Sequence, residues 1–297
     1  MGFLRRRSRL DEVSRAALVR VLEAPTFELI PLKNALDQAA ALPPGATVSV
    51  TASPAKGLMA TAELSLRLHD RGLRVVPHLS ARLTRDRQEL FAFLAPLRDA
   101  GIDRLFVVGG DPEEPGDYPD ALSVLREMAD LDVLPSEIGI GGYPDGHPFI
   151  PDDKLDEALA AKAPFASYLT TQLCFDPKAI ATWIEGRRAA GISLPIKLGI
   201  PAVAQIPKLI EISARIGVRD ASKFIMKNTA FVGQLIASGG MYRPNGFLEA
   251  VAPVIADPVA GIVDLHVYTF NQVASTEGWR QDYLAALAGM AGAAASA

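Results

Sequence analysis

Glu28 stands inside the apolar run Phe27–Leu32, where burial favours the neutral acid, the form that donates a proton. An ion pair with a buried Lys or Arg would use such a glutamate equally well. Asp111 follows Gly109 and Gly110 where an apolar run gives way to a turn, and it suits either a helix N-cap or a site carboxylate. Gln172 offers donor and acceptor side by side, which matches the edge of a heterocycle, although a neighbouring loop can satisfy it as well. His78, His147 and His266 fall near the ends of apolar runs, yet no His-x-His or His-x-x-x-His pair exists, so no metal site is expected. Lys197 is placed either for a Schiff base or for pairing with a carboxylate. Cys174 has no adjacent base and reads as a small core residue.

Positioning such residues requires a repeating scaffold, and the chain supplies one. Short apolar runs recur at Phe27–Leu32, Thr47–Ala52, Arg74–Ala81, Arg104–Gly110, Glu137–Pro144, Tyr168–Phe175, Pro195–Ala202 and Asp264–Phe270. Most are near-continuous rather than alternating, as parallel strands buried on both faces should be. Between them, Ala60–Leu68, Gln88–Ala100 and residues 119–131, 152–166, 176–190 and 206–217 carry helical periodicity. Asp176-Pro177 places an N-cap before a proline, while Gly72, Gly101, Gly191 and Gly217 mark helix ends.

Eight strands alternating with helices predict a closed (β/α)₈ TIM barrel, whose active site lies at the C-terminal strand ends. Ser53-Pro54-Ala55-Lys56 follows the second strand instead of the glycine turn of a Rossmann sheet. The expected organisation is one domain over residues 1–297, with a helical insertion at about 221–260, including helices at 221–239 and 246–256. The termini are expected to fray, around Arg5-Arg6-Arg7 and in the Ala/Gly-rich tail from Ala288.

The 297 residues are 49% hydrophobic with a net charge of -4, which gives no electrostatic reason to expect nucleic acid. One cysteine excludes an intrachain disulfide and fits a cytoplasmic setting. MGFLRRRSRL has no apolar stretch behind its charge, and no membrane span is expected. The fold class accommodates homo-oligomers, but no residue pattern specifies a state.

Taken in order, the strand motifs resemble the methylenetetrahydrofolate reductase family. They are Phe27-Glu28-Leu-Ile-Pro31, Ser49-Val50-Thr51, Pro77-His78-Leu79, Gly110-Asp111, Tyr143-Pro144 with His147-Pro148, Thr171-Gln172-Leu-Cys-Phe175-Asp176, Gly199-Ile200-Pro201 and Asp264-Leu-His266-Val-Tyr268-Thr269-Phe-Asn271. The resemblance spans about residues 26 to 272. It implies reduction of 5,10-methylenetetrahydrofolate to 5-methyltetrahydrofolate by NADH or NADPH. It makes Glu28 the acid that opens the imidazolidine ring, and Asp111 a charge beside the reacting ring. Gln172 and Tyr268 become folate-binding residues, and Thr51, His78, Gly110, Tyr143 and His147 become cofactor-side residues. No basic pair is placed for a 2′-phosphate, which favours NADH.

Departures from the family concern its usual FAD. Gly109 stands where an arginine precedes the Gly-Asp, Tyr168 where another begins strand six, and Gln272 where an arginine meets the folate tail. Lys227 and Arg243 are candidates to replace the last. A weakened flavin site and direct hydride transfer are therefore expected. Two other readings stand beside this one. One is a silent folate- or nucleotide-binding paralogue; the other is a Schiff-base lyase using Lys197.

Overall fold

The computed structural model describes residues 10–110, 112, 114–215 and 240–295. Asp111, Lys227 and the helix expected at 221–239 lie outside the described residues.

Eight parallel strands close into a barrel: β1 (Thr26–Leu29), β2 (Thr47–Val50), β3 (Arg74–Ser80), β4 (Arg104–Val108), β5 (Glu137–Gly142), β6 (Tyr168–Thr171), β7 (Ile196–Pro201) and β10 (Ile262–Tyr268). Parallel pairing of β1 with both β2 and β10 completes the circle, in the registers Glu28↔Ser49 and Glu28↔Tyr268. The expected (β/α)₈ barrel is thus the observed fold; the first seven strands are each one to a few residues shorter than their apolar runs, and β10 begins and ends two residues before its own.

Helices α2 (Ala35–Ala39), α3 (Leu58–His69), α4 (Arg87–Asp99), α5 (Ala121–Asp130), α6 (Asp152–Lys162) and α7 (Pro177–Ala189) follow the first six strands. The Asp176 side chain accepts from the Lys178 amide, so α7 begins at the proline as the sequence indicates. Gly101 and Gly191 take left-handed φ values of 77° and 81° just past α4 and α7, a region costly for any residue with a Cβ.

After β7, α8 (Ile206–Arg215) and α9 (Asn245–Ala256) flank an antiparallel pair, β8 (Ala204–Gln205) with β9 (Met241–Tyr242). Three helices went unassigned in the sequence, the five-residue α2 among them. The first, α1 (Glu12–Glu23), is capped by Asp11 and buries Ala17, Leu18, Val21 and Leu22 along one face. The last, α10 (Val273–Ala295), runs through the alanine-rich stretch expected to fray; alanine has the highest helix propensity of any residue. Among the described residues no helix is long and apolar enough to cross a membrane.

Apolar packing divides in two. The larger core lies between the outer face of the strands and the helices, with Phe27, Leu79, Phe93, Leu105, Leu125 and Met128 deep inside it. A smaller cluster of Val76, Phe106 and Tyr168 fills the barrel itself. Below it, at the N-terminal strand ends, lies a floor of charged groups. Arg104 Nε and Glu137 Oε2 are 3.0 Å apart, Lys197 Nζ and Glu137 Oε1 3.6 Å, and Thr26 donates to Asp264 across 2.9 Å. The Lys197 ammonium also sits 3.9 Å from the centroid of the Tyr168 ring, a cation–π contact.

Gly139 is what lets the Tyr168 ring in. A Cβ at position 139 would lie 2.3 Å from the ring carbon Cζ, closer than any tolerable contact. Gly139→Ala should therefore lower the urea midpoint by an amount equivalent to about 1–3 kcal/mol, the usual cost of overpacking. A midpoint equal to that of the parent would show that the ring has room to move.

Candidate active site

The C-terminal half of the barrel gathers polar side chains from several strands. Glu28, the penultimate residue of β1, is 8% exposed and faces inward. Its Oε2 lies 3.2 Å from Nε2 of His266, which β10 carries beside it and which is 3% exposed. The Glu28 carbonyl accepts from the Thr269 hydroxyl, fixing the backbone beneath the acid. Among the described residues Oε1 of Glu28 has no hydrogen-bonding partner.

Tyr268 packs its ring 4.9 Å from that of His266 and donates its hydroxyl to the Thr171 carbonyl at 2.9 Å. Burial, reinforced by the charges of Glu28 and Tyr143, raises the Tyr268 hydroxyl well above its ordinary pKa, so it acts as a donor. Gly199 makes this placement possible, because a Cβ there would lie 2.8 Å from the tyrosine ring and 2.1 Å from the Thr171 carbonyl oxygen.

His78 belongs to the same interior. Its Nε2 is 2.5 Å from the Ser49 hydroxyl, and its ring lies 4.7 Å from Phe106. Burial, with a smaller contribution from His266, pushes its pKa down to about 3. The ring is therefore neutral at all ordinary pH values and is closed in beneath the mouth.

The other expected site residues ring the mouth. Gln172 turns its side-chain oxygen back to accept from the Leu173 amide at 2.8 Å, leaving its amide NH₂ without a partner among the described residues. Thr51 is half-buried at the end of β2 and accepts from Thr61 through its carbonyl. Gly110 has a φ of 94°, and a Cβ there would collide with the Ser80 hydroxyl oxygen at 2.1 Å. Tyr143 and His147 meet edge to face at 5.4 Å, and His147 Nδ1 accepts from the Phe149 amide.

These residues form two groups. Glu28, His266, Tyr268, Thr171, His78 and Ser49 make a compact inner set. An outer groove of about 830 Å³ runs from Gly109, Gly141 and Tyr143 along α6 to Trp183 on α7, and Glu28 does not line it. The inner set holds the buried carboxyl and the two buried histidines, whereas the charged side chains of the groove are exposed or half-buried. Sequence reasoning missed Lys162, a half-buried cation in the groove whose pKa burial lowers; its place in the last turn of α6 was the available signal. No group of three potential metal ligands occurs among the described residues. Lys197 lies on the charged floor, far from the mouth, in the carboxylate-paired role. Cys174 is buried, as expected of a core residue, and burial pushes its thiol up to about 12.

The neutral His78 has a measurable consequence. The unfolded chain takes up a proton near the ordinary histidine pKa of about 6.5, whereas the folded ring does so only near 3. Stability contributed by the neutral ring is complete above about pH 6.5 and declines as pH falls through that window, by on the order of 1 kcal/mol per unit. His78→Asn should melt with a shallower loss between pH 6 and 4 than the parent. Parallel melting curves across that range would refute the assignment.

Comparison with known proteins identifies the family of the chain. The family model described as methylenetetrahydrofolate reductase matches residues 31–278, a segment that begins just after Glu28. Methylenetetrahydrofolate reductase 1 of Schizosaccharomyces pombe is 29% identical over 192 residues, which cover 61% of this chain and 31% of that protein. The chain thus spans about a third of that relative's length. Among solved structures, a GH18 chitinase from Cycas revoluta in complex with (GlcNAc)3 is 14% identical with a TM-score of 0.38, covering 61% of this chain and 70% of its own. A mutant of that chitinase with (GlcNAc)4 scores 0.37 at 13% identity over the same shares, and neither likeness carries an argument. The family match, spanning most of the barrel, decides the matter: the chain belongs to the methylenetetrahydrofolate reductase family.

Proposed function

We propose that the chain reduces 5,10-methylenetetrahydrofolate to 5-methyltetrahydrofolate, with NADH as the hydride donor. The observation that carries this reading is Glu28, a buried acid facing the mouth of a barrel that belongs to this family. Glu28 gives its proton to the folate nitrogen N10 as the bond from that nitrogen to the bridging methylene carbon breaks. The electron pair of that bond stays on N10, and the methylene becomes the 5-iminium cation. Hydride from NADH then adds to the iminium carbon, leaving a methyl group and NAD⁺.

The remaining residues bind and orient. The free amide NH₂ of Gln172 meets acceptors of the pterin, and Tyr268 bounds the pocket beside it. Asp111 is assigned a place next to the reacting ring, where its charge favours the cation. Thr51, Gly110, Tyr143 and His147 form the cofactor side, and His78 shapes it from beneath. Arg243 is a candidate for the folate tail in place of the arginine replaced by Gln272.

The residues present fit a flavin dinucleotide poorly. Pyrophosphate needs cations or amide donors. Tyr168 commits its ring to the barrel interior, and Gly109 offers no side chain. In the groove Arg187 is tied to Asp156 at 2.7 Å and Lys154 to Glu157 at 2.7 Å. Lys162 and Lys178 are the other cations of the groove, and we take this set as too few for a pyrophosphate, which favours direct transfer from NADH. The floor position of Lys197 speaks against a Schiff-base lyase.

The purified protein should be colourless and should oxidise NADH with methylenetetrahydrofolate without added FAD. A stoichiometric yellow spectrum, or strict dependence on FAD, would overturn direct transfer. Tight folate binding with no NADH oxidation would replace the enzyme by a silent binding paralogue. Glu28→Gln should keep its melting temperature within a few degrees and lose on the order of 100-fold or more in kcat. Space around Gly109 is open, with nothing within 4 Å of a Cβ there, so Gly109→Arg should fold and retain FAD more tightly than the parent in equilibrium dialysis.

A further inference from the structure

A lone carboxylic acid in a barrel has two oxygens and a freely turning terminal bond, so something must decide which oxygen faces the substrate. Glu28 and His266 come from β1 and β10, neighbours across the closing seam of the barrel, and both are buried. Only one carboxylate oxygen is engaged, Oε2 with Nε2 of His266 at 3.2 Å. The other, Oε1, has no protein partner among the described residues, and the Glu28 side chain keeps 11% of its surface open.

We propose that His266 is a positioning residue for the acid: its Nε2–H donates to Oε2 of Glu28, which turns Oε1 and its proton toward the mouth. This rests on the reading of Glu28 as the acid. When the Oε1–H bond breaks and the proton passes to the leaving nitrogen, negative charge spreads over both oxygens. The Nε2–H already points at Oε2, so the donor meets that charge without rearrangement. His266 takes no proton from the substrate in this scheme and gives none away.

The surroundings leave His266 facing Glu28. Tyr268 packs against the imidazole from the same strand, Phe106 lies 6.4 Å from it on β4, and Asp264 is near it along β10. From β3 comes His78, itself bonded to Ser49, and from β7 comes Lys197, engaged with Glu137. Asp264 is held by the Thr26 hydroxyl, so among these groups Glu28 is the acceptor left for His266.

Three measurements test the idea. In wild-type protein, ¹⁵N NMR of the four histidines should show the His266 ring protonated at Nε2, with a proton signal that moves in Glu28→Gln. A bare Nε2 with the proton on Nδ1 would overturn the proposal, whatever the activity. His266→Phe, which has no donor, should lose at least tenfold in kcat with little change in KM for the folate. Its alkaline limb in the pH profile of kcat should move to higher pH, because the carboxylate has lost its donor. His266→Asn, which keeps a donor, should recover part of the rate and of the profile. An unmoved limb in His266→Phe, or equal losses in the two variants, would reduce His266 to a packing residue. If His266→Phe fails to fold, the NMR result alone decides. Absence of NADH oxidation by the wild type would instead remove the reductase reading and leave the tautomer measurement intact.

Discussion

Everything at this site depends on how the inside of the barrel is filled. A closed ring of eight strands encloses a fixed volume, and inward side chains must occupy it at the density of a protein interior. Here two tyrosines enter that space, each facing a glycine on a neighbouring strand. Tyr168 lies over Gly139 and Tyr268 against Gly199. The large–small pairing sets the height of each ring, and with it the position of His266, whose imidazole rests on Tyr268.

The filling is layered by polarity. Charges at the floor, Arg104, Glu137, Lys197 and Asp264, satisfy one another. Val76, Phe106 and Tyr168 form an apolar plug above them. Glu28, His266, His78 and Ser49 sit on that plug, cut off from water on one side and adjoining the mouth on the other. A proton donor gains from such a boundary, since the medium beneath it is poorly polarisable while the substrate can approach from above.

Much of this was legible in the sequence. Near-continuous apolar runs located all eight strands, because parallel strands covered on both faces need hydrophobic side chains on both. The polar residues ending those runs located the mouth. What escaped was whatever depends on meeting across the chain. Glu28 read equally well as a free acid or as the partner of a buried Lys or Arg, and its actual partner is a histidine 238 residues away. Tyr168 was compared with a lost cofactor arginine, yet its ring faces the interior, which only the curvature of the barrel determines. Helices α1 and α10 carried ordinary signals, an aspartate cap and an alanine-rich run, but lay outside the strand repeat that guided the reading. The β8–β9 pair, two residues to a strand, is too short to leave any periodicity.

The Arg280 guanidinium of α10 reaches back to the carbonyls of Leu22 and Glu23, at the entry to β1, and is braced there by Glu277. The first strand of the barrel is thus held by the last helix, as well as by the last strand. As the chain is made, Glu28 leaves the ribosome 238 residues ahead of His266, and Arg280 follows later still. Until then β1 has an open edge and a buried carboxylate has no histidine to meet. The acid is made long before it can be set in place, and the many residues between it and its partners make closing this ring a slow, late step in folding.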